Sequence, residues 1–377
     1  MNPGGAAGMN PGGAVGMNAG RPPAGEPAGR DLSGEPEPIP GQLVLPGMPS
    51  EREAEGGQGI LPGLEDLADP GPPPGAPEDP ELAAVAAELT KLDPDGARTA
   101  AAIRGALDML LDGQHTGRYR WDQLHKTEKT HAGTLVEIAL ARALQLADGT
   151  ALDYTIAGAD VDCKFSYRRG GWMIPPEADG QLMLLVQASD EDGTWSAGLL
   201  RTTAENLSPA GNRDHKRALN ERGRAAVCWL HARAPLQENA LIRLAERDVA
   251  AVFALPSGQQ RVNELFRRAQ RMRVSRTVVA TVAMQDDYMK RVRDGGGARD
   301  QLRAEGIVIF GDYAGDQMLA GALGLLRPGP GEFVSARLAR RDGAAGREYD
   351  RSVRLDGADW LLAGPADPIR PAPALPR

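Results

Sequence analysis

Hydrophobic positions along the chain follow two periods, and each period predicts a different kind of element. Apolar residues spaced three and four apart predict helices over residues 79–92, 97–111, 134–146, 236–253, 258–271 and 276–282, with a further helix starting near residue 218. Alternating or short continuous apolar runs predict strands over residues 150–156, 159–165, 182–186, 195–200, 225–230 and 307–310. Strands flanked by helices, followed by a helical region, indicate an α/β protein with a mixed sheet.

One predicted strand, residues 159–165, alternates apolar and charged residues without a break. Successive side chains of a strand point to opposite faces, so Asp160, Asp162 and Lys164 share one face. Two acids and a lysine can hold a divalent cation and orient a water, as phosphodiester hydrolysis requires. An ordinary half-solvated sheet shows the same alternation, and spacing alone favours that simpler interpretation. Two further carboxylates precede the strand, namely Glu137 and Asp153.

The Asp-x-Lys pattern by itself is a weak signal, because the chain contains it twice. The second copy, Asp214-His215-Lys216, lies in a polar stretch without alternation and without carboxylates upstream. The copy at Asp162 and Lys164 has both features. We therefore prefer it as the candidate site.

Composition separates an acidic tail from the rest of the chain. Residues 1–80 contain 18 Gly, 17 Pro and 12 acidic residues against three arginines, in a chain whose formal net charge is -8. Such a segment buries too little apolar surface to offset its chain entropy, so we expect it to be disordered. Without the tail the chain is close to neutral, which removes the objection that an acidic protein is unsuited to nucleic acid.

Several function classes lack their sequence signals. Cys163 and Cys228 are the only cysteines, too few for a disulfide framework and without zinc-site spacing. No phosphate-binding GxxxxGK[ST] loop occurs, which argues against nucleotide hydrolysis. No run approaches the ~18 apolar residues of a membrane span, and no secretory signal opens the chain. We expect a cytoplasmic protein without membrane contact.

Two basic segments predict contacts with a polyanion. In residues 114–131, basic residues are interleaved with Tyr119 and Trp121, which suits phosphate and sugar contacts, although a solvated loop would look the same. Residues 257–276 contain six arginines against Glu264 alone, although a solvated arginine-rich helix face would show the same pattern. Helix, short break and helix over 258–282 are typical of a helix-turn-helix unit, and the strand at 307–310 would suit a wing. The candidate contacts are Arg118, Arg120, Lys126, Lys129, Arg271, Arg273 and Arg276.

Four long strings resemble the NaeI-type restriction endonucleases, which belong to type IIE. They lie at residues 112–131, 133–138, 156–164 and 171–178, and the similarity extends over roughly residues 92–362. The tail does not match the family, and Leu152 stands where the generic PD motif has proline.

The resemblance implies a PD-(D/E)xK nuclease core followed by a helix-turn-helix domain like the winged helix of catabolite activator protein. It further implies Mg2+-dependent cleavage of double-stranded DNA at a palindrome, GCCGGC, activated by a second bound DNA site, in a homodimer. Trp172 begins a proline-containing loop that is a candidate for facing a DNA groove. The resemblance places the catalytic residues at Glu137, Asp153, Asp162 and Lys164, with the three carboxylates as metal ligands.

The resulting domain prediction divides the chain into five parts. They are a disordered tail over 1–80, a nuclease domain over 81–231, a linker over 232–239, a DNA-binding effector domain over 240–365 and a loose end over 366–377. Two rival interpretations stay open. The same core could nick damaged DNA in repair, or it could be vestigial in a noncatalytic DNA-binding regulator.

Overall fold

A computed structural model describes residues 79–343 and 351–376 of the chain. These residues lie in one compact unit. The predicted acidic tail lies outside the described residues except for its last two positions. Asp79 accepts hydrogen bonds from the backbone N–H groups of Glu81 and Leu82, at 3.1 and 3.0 Å, and so caps the first helix.

Four helices open the described part of the chain, and the first two have the predicted bounds to within one residue. Asp93 stabilises the start of the second helix by accepting from the backbone N–H and hydroxyl of Thr99. The fourth helix begins eight residues before its predicted start, because Glu128 reaches back to the N–H of His125, at 2.8 Å, and caps it there. The helices are α1 (Pro80–Leu92), α2 (Ala97–Leu111), α3 (Gly113–Thr116) and α4 (Lys126–Leu144).

A six-stranded mixed sheet follows, with its strands in sequence order from edge to edge. Only β3 and β4 run parallel among its neighbouring pairs. The strand predicted at 159–165 is confirmed. The helix expected near residue 218 is present as α5 (Glu221–Ala225), and it begins three residues later because the backbone stays extended to Asn220, whose side chain caps the helix through Gly223 N–H. The elements are β1 (Ala147–Asp148), β2 (Tyr154–Ile156), β3 (Ala159–Ser166), β4 (Leu182–Ser189), β5 (Thr194–Arg201), α5 (Glu221–Ala225) and β6 (Cys228–Pro235).

The two faces of this sheet are covered differently. One face packs against α1, α2 and α4 in the larger hydrophobic core, which includes Val161 and Cys163. The other face is covered by a lobe made of residues 172–181 and 202–227, which packs on Met183 and Leu185 of β4. This α/β arrangement of a sheet between helices fits a restriction-endonuclease-like fold.

The second half of the chain contains shorter helices around a five-stranded sheet of order β10-β11-β9-β7, with β8 also paired to β9. The predicted helix over 236–253 is split at Leu244, whose backbone is extended. The predicted strand at 307–310 is confirmed as β8. The elements are α6 (Ala240–Arg243), α7 (Glu246–Phe253), α8 (Gly258–Arg268), β7 (Arg273–Ser275), α9 (Arg276–Ala283), α10 (Ala298–Gln301), β8 (Ile307–Phe310), α11 (Ala314–Ala322), β9 (Glu332–Arg340), β10 (Ser352–Leu355) and β11 (Ala358–Leu362).

The pair α8 and α9 differs from the predicted helix, turn and helix. The short break at 272–275 is the strand β7, which pairs with β9. Residues 278–283 of α9 are buried without exception, so this helix has no face free to enter a DNA groove. Any groove-reading element of this half must lie elsewhere.

The segment from α3 to Trp121 joins the two halves of the molecule. Gly113 lies so close to Thr281 of α9 that even a Cβ atom would collide with its hydroxyl. Tyr119 stacks on Phe253 of α7, with ring centroids 6.2 Å apart. Part of the segment predicted to face DNA therefore forms an internal contact. No helix in the described ranges is long and apolar enough to cross a membrane.

Candidate active site

Asp162 and Lys164 project from β3 towards the lobe side of the sheet. Their register partners on β4 are Met183 and Leu185, and directly paired residues share a face. Both side chains are largely buried, with 14% of Asp162 and 28% of Lys164 exposed. They form an ion pair through Asp162 Oδ2, and Lys164 Nζ also donates to the carbonyl oxygen of Cys163 at 3.2 Å.

Backbone contacts bring the two upstream carboxylates to the same strand. Asp153, directly before β2, accepts a 2.7 Å hydrogen bond from the N–H of Cys163 through its Oδ2. Buried Tyr154 donates its hydroxyl to the backbone carbonyl of Glu137 at 2.8 Å, which holds that turn of α4 against β2. The structure therefore gathers all four residues of the predicted catalytic set around Cys163.

Two carboxylates of this cluster, Glu137 and Asp162, have raised pKa values. Burial raises the pKa of Glu137, the charge of Asp153 raises it further, and Lys164 offsets only part of the increase. Burial likewise raises the pKa of Asp162 despite the approach of Lys164. Burial also raises the pKa of the Cys163 thiol, to about 12, which keeps that group protonated. The carboxylates together carry more negative charge than Lys164 offsets, and a bound cation would compensate for this excess.

The residues fit a divalent cation, although no three metal-ligating side chains in the described ranges already converge as ligands. Asp162 Oδ2 is buried and accepts no well-directed hydrogen bond from any described group, with Lys164 as its ion-pair partner. The oxygens of Asp153 and Asp162 are the hard donors that Mg2+ prefers. Mg2+ commonly takes only one or two protein carboxylates and completes its shell with water and substrate phosphate.

Asp160 lies on the same charged face of β3 as Asp162, but it has a different structural role. Its carboxylate accepts from the backbone N–H groups of Thr150 and Ala151, both at 2.9 Å, and these bonds lower its pKa. The bonds fix the loop before β2 and explain why the predicted strand over 150–156 begins only at Tyr154. Asp160 therefore shapes the chain that carries Asp153.

The residue patterns considered above did not single out Glu177 beside the site. It lies in the single turn Pro176–Ala178 of the lobe, close enough to Asp162 for its charge to raise the pKa of that carboxyl further, after burial and Asp153. An exposed glutamate in a proline-containing loop carries no periodicity, so the only signal was its position inside the string at 171–178.

The predicted DNA contacts of the first half fall into three groups. Arg118 is committed to Glu128, at 2.8 and 2.9 Å, and Arg120 pairs with Asp122. Lys126 and Lys129 have no side-chain partner among the residues described. The expectation that Trp172 faces a groove is wrong, because its side chain is 2% exposed and its indole N–H donates to the carbonyl of Val186 at 2.8 Å.

The arginine-rich segment over 257–276 is largely neutralised by distant partners. Arg267 binds Glu305 at 2.7 and 2.8 Å, and Arg268 binds Asp248 and Glu264. The Arg261 guanidinium donates hydrogen bonds to backbone carbonyl oxygens at the end of α9. Arg268 and the three predicted contacts Arg271, Arg273 and Arg276 are exposed, and of these three Arg273 also pairs with Glu332 at 3.5 Å.

Two comparisons with known proteins point to the same family of restriction endonucleases. The sequence model of the family described as "Restriction endonuclease NaeI" matches residues 83–371. A curated relative from Lentzea aerocolonigenes, "Type II restriction enzyme NaeI", is 48% identical over 311 residues, which cover 80% of this chain and 96% of the relative. The matched region includes all four residues gathered around Cys163.

Proposed function

Because this chain belongs to the NaeI family of type II restriction endonucleases, we propose that Glu137, Asp153, Asp162 and Lys164 cleave double-stranded DNA with Mg2+. The family membership makes the chain a site-specific endonuclease. The observation that carries the residue assignment is that Asp153 and Lys164 both bind the backbone of Cys163, that Asp162 pairs with Lys164, and that Glu137 lies close enough for their charges to shift its pKa. It places the buried Oδ2 atom of Asp162 beside the ammonium group of Lys164.

Asp153 and Asp162 would hold the cation, with Glu137 contributing directly or through water. When bound, Mg2+ supplies charge stabilisation at the phosphate and lowers the pKa of a coordinated water. Lys164 is already held beside Asp162 as an ammonium group, so it can orient the attacking water and offset charge on the pentacovalent phosphorus. Asp153 cannot turn away, because the Cys163 N–H fixes its carboxylate.

We assign the second half of the chain to an activating copy of the DNA site. The order α8, β7, α9, β8 and β9, with both β7 and β8 paired to β9, is the order of a winged helix. In that arrangement the recognition position follows α9, over residues 288–305, rather than being α9 itself. Exposed Arg273 and Arg276 flank residues 288–305, and the Arg276 guanidinium donates to the Tyr288 hydroxyl at 3.3 Å. The proposed domain boundaries are those given from the sequence, except that β6 extends the nuclease sheet to Pro235, into the linker predicted over 232–239.

The recognition site we propose is GCCGGC, cut by a homodimer. The test is to incubate the full chain and Mg2+ with plasmids that carry no, one or two copies of the site and to sequence the ends. We expect double-strand cleavage, faster with two copies. Nicking confined to damaged DNA would indicate a repair enzyme, and binding without cleavage would indicate a noncatalytic regulator.

The residue assignment is tested by Asp162→Ala and Lys164→Ala in the same assay. Both variants should bind the duplex and lose cleavage, because one lacks a metal ligand and the other the group beside the attacking water. Lys91→Ala is the matched control, since Lys91 is 76% exposed on α1 at the opposite side of the sheet. An Asp162→Ala protein that cuts at the wild-type rate would show that the assignment is wrong.

A further inference from the structure

A hairpin-like extension of the lobe, residues 207–220, is built more firmly than an ordinary surface loop. Ser208 N–H donates to Ala218 at 2.8 Å, and Asn212 N–H donates to Lys216 at 2.8 Å, so the two arms are paired. At the base, Leu207 and Leu219 are buried in the hydrophobic cluster that also contains Met183 and Leu185. The arms cannot swing away from the sheet without exposing these leucines.

The tip of this hairpin, residues 211–216, is also held in one conformation. The Asn212 side chain accepts from the N–H groups of Asp214 and Lys216, at 2.9 and 3.0 Å. His215 has φ +58°, a left-handed conformation that costs a non-glycine residue about 1 kcal/mol or more. Its backbone lies 3.0 Å from where a Cβ on Gly211 would be, so the turn is closely packed.

The tip presents cationic side chains that the protein itself does not use. Arg213, His215 and Lys216 are exposed. None of their side chains has a hydrogen-bond or ion-pair partner among the described residues, in contrast to the neutralised arginines of α8. A rigid turn that carries unpaired Arg and Lys side chains suits contacts to phosphate oxygens.

The position of the tip relates it to the candidate active site. The lobe that carries it covers the sheet face onto which Asp162 and Lys164 project, as their pairing with Met183 and Leu185 requires. Hydrogen bonds between Ile174 and Arg217, both 2.8 Å, connect the hairpin to the chain that runs from β3 across that face. A duplex with its scissile phosphate at Lys164 would therefore extend past this lobe.

We propose that the 211–216 tip is a phosphate clamp, in which Arg213 and Lys216 grip the DNA backbone beside the cut site. The proposal rests on the proposed function, because it takes the DNA at Asp162 and Lys164 as the ligand. It gives the second Asp-x-Lys triplet, which has no part in the catalytic set, a role in substrate binding. Asp214 between the two cations weakens the grip.

The test measures binding of a duplex carrying GCCGGC to the full chain with Mg2+, in an Asp162→Asn background that cannot cut, over a series of salt concentrations. Arg213→Ala/Lys216→Ala should bind about tenfold more weakly and reduce the slope of log affinity against log salt by about 1 to 2. Asp214→Asn should bind two- to threefold more tightly. Lys91→Ala, compared with Lys216→Ala, controls for loss of one exposed lysine.

Cleavage kinetics in the unmodified background provide the second measurement. The double variant should raise KM about tenfold and change kcat by less than threefold, because the clamp acts before the chemical step. Wild-type affinity and salt slope in the double variant would overturn the proposal, as would a loss confined to cognate DNA with an unchanged slope. If the wild-type chain binds but does not cut, the proposed function fails, while the salt series still decides the clamp.

Discussion

The two Asp-x-Lys triplets of this protein share a residue pattern and differ in nearly everything else. Asp162 and Lys164 lie on a central strand, mostly buried and paired with each other. Asp214 and Lys216 lie exposed on the tip of a hairpin, and Lys216 Nζ has no partner within the described chain. Chemistry at a phosphate requires a carboxylate in a site of low solvation beside other charges, and only the strand provides that environment.

The comparison shows what gives such a motif its role. Burial and the neighbours Asp153 and Glu177 raise the pKa of Asp162, so a bound cation would stabilise the ionised carboxylate of the strand triplet. The hairpin triplet is exposed to solvent and is suited to reversible contacts with a polyanion. The same three-residue pattern can therefore serve catalysis or binding, depending on the element that carries it.

The largest expected effect comes from changing the lysine of each triplet. Lys164→Met should reduce single-turnover cleavage by about 10³-fold at saturating DNA, because positioning of the water and charge stabilisation are both lost. Lys216→Met should leave that rate within about threefold. Quenched-flow cleavage of a labelled duplex measures both rates. Equal losses in the two variants would remove the distinction between the triplets.

A smaller effect is expected in the stability gained from Mg2+. At ten times the dissociation constant, a cation bound only to the folded chain adds about 1.4 kcal/mol, a rise in Tm of about 3–6 °C. Asp153→Asn and Asp162→Asn should lose this rise, and Asp214→Asn should keep it. Differential scanning calorimetry with and without Mg2+ measures the difference. A full Mg2+ response in Asp162→Asn would move the cation to another site.

The smallest effect concerns the charge of Glu137 without metal. Its pKa is raised in the folded chain, so the fold loses stability as pH rises through that value and the carboxyl ionises. Glu137→Gln should therefore raise Tm at pH 8 by ~2 °C and leave it unchanged below about pH 4, where the carboxyl is protonated in both states. Glu246→Gln at an exposed position of α7 is the control. A Tm lowered at pH 8 would mean that the ionised group stabilises the fold.

The spacing of apolar and charged residues predicted the strands of the first sheet better than it predicted which charged side chains lack an ion-pair partner. The alternation of 159–165 was sufficient to give β3 its faces, because one side had to be buried. The six arginines of 257–276 suggested a positive surface, yet Glu305 and Asp248 come from distant positions to pair with Arg267 and Arg268. Pairing across such separations depends on tertiary packing, which spacing does not encode.

The same limit applies to residues whose identity suggests exposure or use. Trp172 follows two glycines and precedes prolines, a loop composition, but its ring fills the cluster between lobe and sheet. Asp160 is chemically equivalent to Asp162, and only the nearby N–H groups of Thr150 and Ala151 separate their roles. The catalytic set itself was assigned by family resemblance, and the structure adds the physical reason why its members meet.

The bond between Asp153 and the backbone of Cys163 has a consequence for engineering. The orientation of the Asp153 carboxylate is set by a backbone N–H group, which every residue except proline possesses. This orientation therefore does not depend on which side chain occupies position 163. Variant libraries that change the surrounding side chains to alter DNA specificity can therefore be screened while the orientation of the Asp153 carboxylate is kept. Proline at position 163 would be the one substitution there that removes this hydrogen bond while leaving all four proposed catalytic side chains in the sequence.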